Sequence, residues 1–356
     1  MLSLIPGPSE LYFTVHDHLR KAIRNSVGSL SHRSQEFETI FRRVTEGLKE
    51  LLSIPAGYHI FFTGSATEIF ERSIQNLVEH ESFHFVNGAF SARFYEVARQ
   101  LGKRPTRMEA TPGTGFREVE IPAQTDFIAV THNETSTGVS LPPGFIEGLR
   151  KKNENALVVV DAVSSLPYPS FDYHGVDSVF FSVQKGFGLP AGLGVWLVND
   201  RCLARAEHLL ALGISIGSYH NLPTLYSHAV KNQTPETPNV LALYLLAGVV
   251  EDMLEKGIER IRRETEYKAA ILYHLLDQHP VLKPFVAETE YRSKTVITLD
   301  CGKHLAEVKE ALLHRGFLPG DGYGEFRKNQ LRLANFPTHS KEQFEALTDA
   351  LNALKF

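Results

Sequence analysis

Short apolar runs punctuate the first two hundred residues, separated by stretches in which apolar positions recur at helical spacing. Tyr58–Thr63, Phe83–Val86, Asp126–Thr131, Ala156–Val160, Ser178–Ser182 and Gly194–Val198 have the length and the aliphatic and aromatic content of buried strands. Between several of them, Thr67–Leu77, Phe90–Leu101 and Phe145–Lys152 carry apolar residues at a period near 3.6, as amphipathic helices do. Strands alternating with helices predict an α/β fold, with a mainly parallel sheet covered on both faces. Sheets of this kind place ligand sites at the carboxyl ends of their strands.

Beyond about residue 236 the pattern changes. Asn239 through His279 reads as one long helical pattern, followed by a strand at Thr295–Leu299, a helix-like Lys303–His314 and a closing helix over Lys341–Leu354. This predicts a smaller α+β domain. The proline-rich stretch Gln233–Pro238 marks the junction, because proline disfavours helix at the residue before it. The expected division is a large domain over 16–238 and a small one over 239–356, with 1–15 joining the latter. A length of 356 residues exceeds one ordinary core and suits two.

Composition narrows the function classes. With 43% hydrophobic and 22% charged residues the chain folds rather than staying disordered. The 37 basic and 41 acidic residues leave a net charge of −4, and the arginines at 42, 43, 260, 262 and 263 sit among acids. A nucleic-acid footprint is therefore not expected, and the partners are small molecules. Cys202 and Cys301 stand apart from each other and from any histidine at ligand spacing, so neither a disulfide framework nor a metal site is expected. No basic leader precedes Pro6, and the apolar stretch Val240–Val250 is too short to span a bilayer, so residence in the cytoplasm is the expectation.

The candidate chemistry centres on Lys185. An apolar run from Val176 to Val183 delivers this single amine into a glycine-rich turn. A lysine held in a partly desolvated pocket loses its proton more easily and can attack an aldehyde to form a Schiff base; a surface lysine at the start of a loop is the alternative. Asp161 closes the run Leu157–Val160, which puts a carboxylate at a strand's carboxyl end, either facing a cation or capping the next turn. Gly64, Ser65, Ala66 and Thr67 follow a strand and open a helix, a turn that suits a phosphate but also suits an ordinary N-cap. Thr135 lies in the polar run Thr131–Gly138, and Phe90 opens a helix, free to stack on a planar ring or to join the core. His32 and Arg33 precede an amphipathic helix, as an anion site or an exposed helix start. Arg332 alternates with apolar neighbours and needs an anionic partner, from a substrate or from the chain itself.

These motifs in order resemble the class V aminotransferases of the pyridoxal phosphate fold-type I superfamily, and within that class the phosphoserine aminotransferases. The resemblance rests on Pro6-Gly-Pro, Ser31-His-Arg33 with Glu36-Phe37, Gly64 to Thr67, Asn133-Glu-Thr135, Asp161 with Ser164-Ser165, Gln184-Lys185, Gly192-Leu-Gly194 and Thr234-Pro-Glu-Thr237. It implies a large domain with a seven-stranded type of sheet between helices. It also implies that Lys185 carries pyridoxal 5'-phosphate as a Schiff base and shuttles the proton, with Asp161 on the pyridine nitrogen and Phe90 on the ring face. Thr135 and Gln184 would bond near the phenolic oxygen, and Gly64–Thr67 would hold the phosphate, helped by Gln233 and Thr234 of a second subunit. His32 and Arg33 would take the distal anion of the substrate and Arg332 its α-carboxylate. The implied working unit is a homodimer with shared sites.

The chain departs from the pattern at three positions. Thr67 stands where many bacterial phosphoserine enzymes have arginine, Gln233 where asparagine is frequent, and Phe90 where tryptophan is common. The implied reaction converts O-phosphoserine and 2-oxoglutarate to 3-phosphohydroxypyruvate and glutamate. Its nearest rival is a serine or alanine–glyoxylate type of transamination. A cysteine desulfurase would need Cys301 on a mobile loop, a serine hydrolase at Ser182 would need a Gly-x-Ser-x-Gly elbow that is absent there, and a silent ligand-binding module would lack turnover.

Overall fold

The computed structural model describes residues 1–354 and 356. The chain begins with β1 (Leu2–Leu4), α1 (Val15–Arg24), α2 (Gln35–Leu51), β2 (Tyr58–Thr63), α3 (Ala66–Leu77), β3 (Glu81–Val86), α4 (Ala89–Gln100) and β4 (Arg104–Glu109). Then come β5 (Phe127–Thr131), a short ribbon of β6 (Asn133–Glu134) and β7 (Val139–Ser140), α5 (Pro143–Lys152), β8 (Leu157–Asp161), β9 (Ser178–Ser182) and β10 (Gly194–Asn199). Next are the helices α6 (Asp200–Ala211), α7 (Leu222–Ala229), α8 (Val240–Lys256) and α9 (Ile258–Gln278). The chain closes with β11 (Lys283–Pro284), β12 (Val296–Asp300), α10 (Leu305–His314), β13 (Phe317–Asp321), β14 (Gln330–Ala334) and α11 (Lys341–Asn352).

Seven strands form the main sheet in the order β2-β10-β9-β8-β5-β3-β4. Only β10 runs against its neighbours; the other pairings are parallel. All six apolar runs lie in this sheet. Their side chains alternate between two cores: Val158 and Val160 of β8, with Val195 and Leu197 of β10, face one side, while Leu157, Val159, Trp196 and Val198 face the other. Strands buried on both faces carry no polar alternation, which is why they read as continuous apolar runs. The first side is covered by α2 and α8, packed closely enough that a Cβ on Gly47 would come within 2.8 Å of Val250 Cγ1. The second is covered by α3, α4 and α6, through Ile69, Phe70, Phe94 and Cys202.

A second sheet, β1-β13-β14-β12-β11, packs against α9, α10 and α11 around Leu272, Leu299, Leu312, Leu331 and Leu347. Strand β1 pairs parallel with β13, so the first residues of the chain belong to this sheet. Helix α8, which the sequence reading placed with the small domain, contributes Leu243, Leu246 and Val250 to the core it shares with α2. The long helical pattern over 239–279 is two helices, because Gly257 takes a φ of +84° that ends α8. Strand β4 escapes sequence reading since it is an edge strand whose residues are mostly exposed and polar. Among the described residues, no helix is long and apolar enough to cross a membrane.

Candidate active site

Strands β2, β5, β8 and β9 run in one direction, and the segments leaving their carboxyl ends converge on a cavity of about 240 Å3. Ser65, Ala66 and Thr67 enter it after β2, Asn133 and Thr135 after β5, Asp161 at the end of β8, and Ser182, Gln184 and Lys185 from the end of β9. Phe90, from the start of α4, forms a wall, and Gly7 and Pro8 close it from the amino-terminal segment.

Lys185 is the only amine lining this cavity. Burial is the main reason its proton affinity falls, to a pKa of about 8; the positive charge of Arg332 lowers it further, while Asp161 pulls it back up. Its Nζ donates to the carbonyl of Pro6 at 2.6 Å. The chain lies so close here that a Cβ on Gly7 would overlap Nζ, Cε and Cδ of the lysine, and Gly7 has a φ of +148°. The same strap is fixed farther along: Ser9 Oγ donates to Lys185 O at 3.0 Å, and Tyr12 N donates to Gly188 O at 2.8 Å.

Asp161 is buried, and desolvation raises its pKa to about 7. The N–H of Val163, which donates to Oδ1 at 2.9 Å, and the charge of Lys185 oppose that rise, while Glu134 adds to it. Both members of the Asp161–Lys185 pair are thus pushed toward neutrality by the same dry surroundings, and each favours the other's charge.

The polar run after β5 is divided between structure and site. Thr135 Oγ1 donates to Ser164 Oγ at 2.8 Å, Asn133 Nδ2 donates to the same oxygen at 2.7 Å, and Ser164 Oγ donates to Asn133 O at 3.0 Å. Glu134 turns away to cap α4, accepting from Ser91 N at 2.9 Å and Ser91 Oγ at 2.8 Å and, through its other oxygen, from Ser136 Oγ at 2.6 Å. That cap orients the helix start that carries Phe90. Two buried oxygens in the cavity wall, Asn133 Oδ1 and Gln184 Oε1, have no protein donor.

At the turn after β2, Ser65 Oγ caps α3 by accepting from Glu68 N at 3.1 Å, and Ala66 N donates to Ser182 Oγ at 3.1 Å. Gly194 of β10 packs against this turn; a Cβ there would come within 2.6 Å of the Ser65 carbonyl carbon and of Thr63 Oγ1. Arg332 reaches over from β14, its Nε donating to Asp321 O at 2.8 Å and its Nη1 to Thr135 O at 3.1 Å, with its guanidinium 5.4 Å from the Tyr323 ring. Tyr323 in turn lies 5.4 Å from the Phe90 ring.

Gly64 and Arg332 do not line this cavity, nor do His32, Arg33, Gln233 and Thr234. The last four form a cluster of their own. Arg33 Nη1 donates to Gln233 Oε1 at 3.0 Å and to Thr234 O at 2.7 Å, Nη2 donates to Pro235 O at 3.3 Å, and Gln233 Nε2 donates to Glu38 of α2 at 2.8 Å. His32 Nδ1 lies 3.4 Å from Thr237 Oγ1. Sequence reading missed Gly7, Pro8, Phe70, Asn133, Val163 and Ser182 as cavity residues. The Pro6-Gly-Pro motif was the available signal for Gly7 and Pro8, and Asn133-Glu-Thr135 for Asn133; nothing local marks the others.

The Aminotransferase class-V family description matches residues 6–316. The crystal structure of a phosphoserine aminotransferase from Cytophaga hutchinsonii superposes with a TM-score of 0.97, at 47% identity over 98% of each chain. A phosphoserine aminotransferase of a Nocardioides species is 30% identical over 352 residues, covering 97% of this chain and 93% of its own. The same fold recurs in the structure of pyridoxal-phosphate-bound phosphoserine aminotransferase from Trichomonas vaginalis, at 20% identity, a TM-score of 0.78 and 98% coverage of both chains.

Proposed function

The chain belongs to the class-V aminotransferases, and from that premise we propose that it is a cytoplasmic, homodimeric phosphoserine-type aminotransferase working with pyridoxal 5'-phosphate. Its reaction is the exchange of the amino group between O-phosphoserine and 2-oxoglutarate, giving 3-phosphohydroxypyruvate and glutamate. The observation that carries the reading is the half-buried Lys185, whose amine shares one cavity with the buried Asp161 carboxylate. The 47% identity to the Cytophaga enzyme, over nearly the whole of both chains, supports the phosphorylated substrate.

The cavity suits this cofactor. Its wall offers one amine, one carboxylate, an aromatic face and two buried oxygens without protein donors, the inventory a planar ring with a cationic nitrogen and polar substituents needs. When bound, pyridoxal phosphate supplies an electron sink and a store for the amino group between the two halves of the exchange. In this reading Asp161 would face the pyridine nitrogen and favour its protonated form, Phe90 would cover one ring face, and Thr135 and Gln184 would lie near the phenolic oxygen. The Gly64–Thr67 turn would hold the phosphate at the positive end of α3, through Ser65, Ala66 and Thr67, since Gly64 N is taken up by Glu68.

Lys185 Nζ would take up the proton that leaves the substrate α-carbon and hold it as the ammonium. A pKa near 8 keeps a useful fraction of that amine neutral, as a general base requires. Arg332, whose Nε and Nη1 donate to Asp321 O and Thr135 O, would donate to the α-carboxylate from the rest of its guanidinium. His32, Arg33, Gln233 and Thr234 form one unit outside the protomer's own cavity, and we assign that unit to the partner's site, where the arginine and histidine meet the distal anion and Gln233 and Thr234 the cofactor phosphate.

The test is the half-reaction with a panel of donors. The purified holoenzyme, mixed with phosphoserine, serine or alanine, should lose its visible imine absorption fastest and at lowest concentration with phosphoserine. A preference for serine or alanine, with glyoxylate as acceptor, would replace the phosphorylated substrate and leave the cofactor in place. Protein that stays colourless with pyridoxal phosphate ends the reading altogether.

A further inference from the structure

Behind the Gly64–Thr67 turn, two carboxylates and one imidazole form a closed group. Glu68, in the first turn of α3, accepts from Gly64 N at 2.8 Å through Oε2, and its Oε1 lies 2.6 Å from His220 Nδ1. The opposite ring nitrogen, Nε2, lies 3.1 Å from Glu236 Oε2, an ionic contact whose alignment falls short of a directed hydrogen bond, and neither atom has another partner. His220 is 2% exposed, its ring is stacked on Tyr219 with centroids 3.8 Å apart, and its backbone φ is +50°.

Glu236 belongs to the 233–237 arm: Thr234 Oγ1 donates to Glu236 O at 2.7 Å. The arm is thus held at one end by Arg33 and at the other by His220. The remaining charged neighbour is Arg72 of α3, 3.7 Å from Glu68 and itself bonded to Gln75. Without a cation between them, Glu68 and Glu236 would place two negative charges beside a cup meant for an anion.

We propose that His220, as an imidazolium, is a positioning residue that braces the protomer's own phosphate turn and the arm it lends to its partner, and offsets the two carboxylates beside them. The inference rests on the cofactor reading. Burial opposes charge on this ring, yet bonding to Glu236 and Glu68 outweighs it and raises the pKa to about 9. The raised value means that the bracing is complete below the ordinary imidazole pKa and is lost as pH rises through about 9.

His220→Asn tests this, since asparagine tolerates the left-handed backbone and keeps a donor toward Glu68 while losing the charge and the reach to Glu236. The wild-type dimer, H220N, E236Q and the double variant are titrated from pH 6 to 10 with pyridoxal phosphate and with pyridoxal, which lacks the phosphate, and are melted without either. In H220N, affinity for pyridoxal phosphate should fall on the order of tenfold, the scale of a lost charge-assisted contact, while pyridoxal binds as before. E236Q should restore part of that loss when combined with H220N. The advantage of wild type over H220N should also disappear between about pH 8 and 10, bracketing the histidine's raised pKa. Equal weakening of both ligands with a lower melting temperature would assign His220 a purely structural role and overturn the proposal. So would an unchanged H220N. If wild type binds pyridoxal phosphate no better than pyridoxal, the phosphate reading itself falls and the proposal with it.

Discussion

Competitive acetylation of Lys185 puts the central claim to a quantitative test. At pH 7.5 a lysine with the ordinary pKa of 10.5 is neutral about one time in a thousand, whereas one with a pKa of about 8 is neutral about a quarter of the time, roughly a 200-fold gain in nucleophile. That shift corresponds to roughly 3 kcal/mol of preference for the neutral amine. Two charges act on it in opposite senses: Arg332 lowers the pKa and Asp161 raises it, with burial the largest cause. Apoprotein treated with trace acetic anhydride between pH 6 and 11, and digested for mass spectrometry, reports the labelling of Lys185 against the exposed Lys341 in the same sample. Lys185 should titrate with a midpoint near 8, well below the ordinary lysine value of about 10.5. Arg332→Gln should move the Lys185 midpoint up and Asp161→Asn should move it down. A midpoint shared with Lys341, or shifts of the opposite sign in the two variants, would refute the claim that desolvation and these two charges set the amine's state.

Two other substitutions probe the strap and the core. Gly7→Ala forces a side chain onto Lys185 in a backbone conformation that costs roughly 1–3 kcal/mol for a non-glycine residue; imine formation with pyridoxal phosphate, followed by absorbance, should be slowed far more than folding is weakened, and wild-type capture would show that the strap does not lie against the amine. Phe180→Ala empties a fully buried site between Phe70 and Phe94 and should cost about 3–5 kcal/mol in denaturant unfolding, with the imine spectrum retained at low temperature; a loss under about 1 kcal/mol would mean the core collapses around the gap.

The sheet was legible because its strands are buried on both faces and so advertise themselves as unbroken apolar runs, from Tyr58 to Val198. Strand β4 offers no such signal: Arg104–Glu109 forms an edge and keeps water on its side chains. Lys185 and Asp161 were legible because each is a lone charge delivered by an apolar strand, and the structure brings both to one cavity. Arg33 shows the limit of local reading. Its neighbours in sequence suggest an anion site, but its actual partners, Gln233, Thr234 and Pro235, lie some two hundred residues away and are known only once the chain is folded. The same holds for His220, whose two acids come from α3 and from the arm.

The first dozen residues do two jobs at once. Leu2 to Leu4 extend the edge of the carboxy-terminal sheet, and a few positions later Pro6 and Gly7 roof the Lys185 amine. On the proposed reading, clipping this tip would disturb the Lys185 amine without removing a side chain assigned to the chemistry.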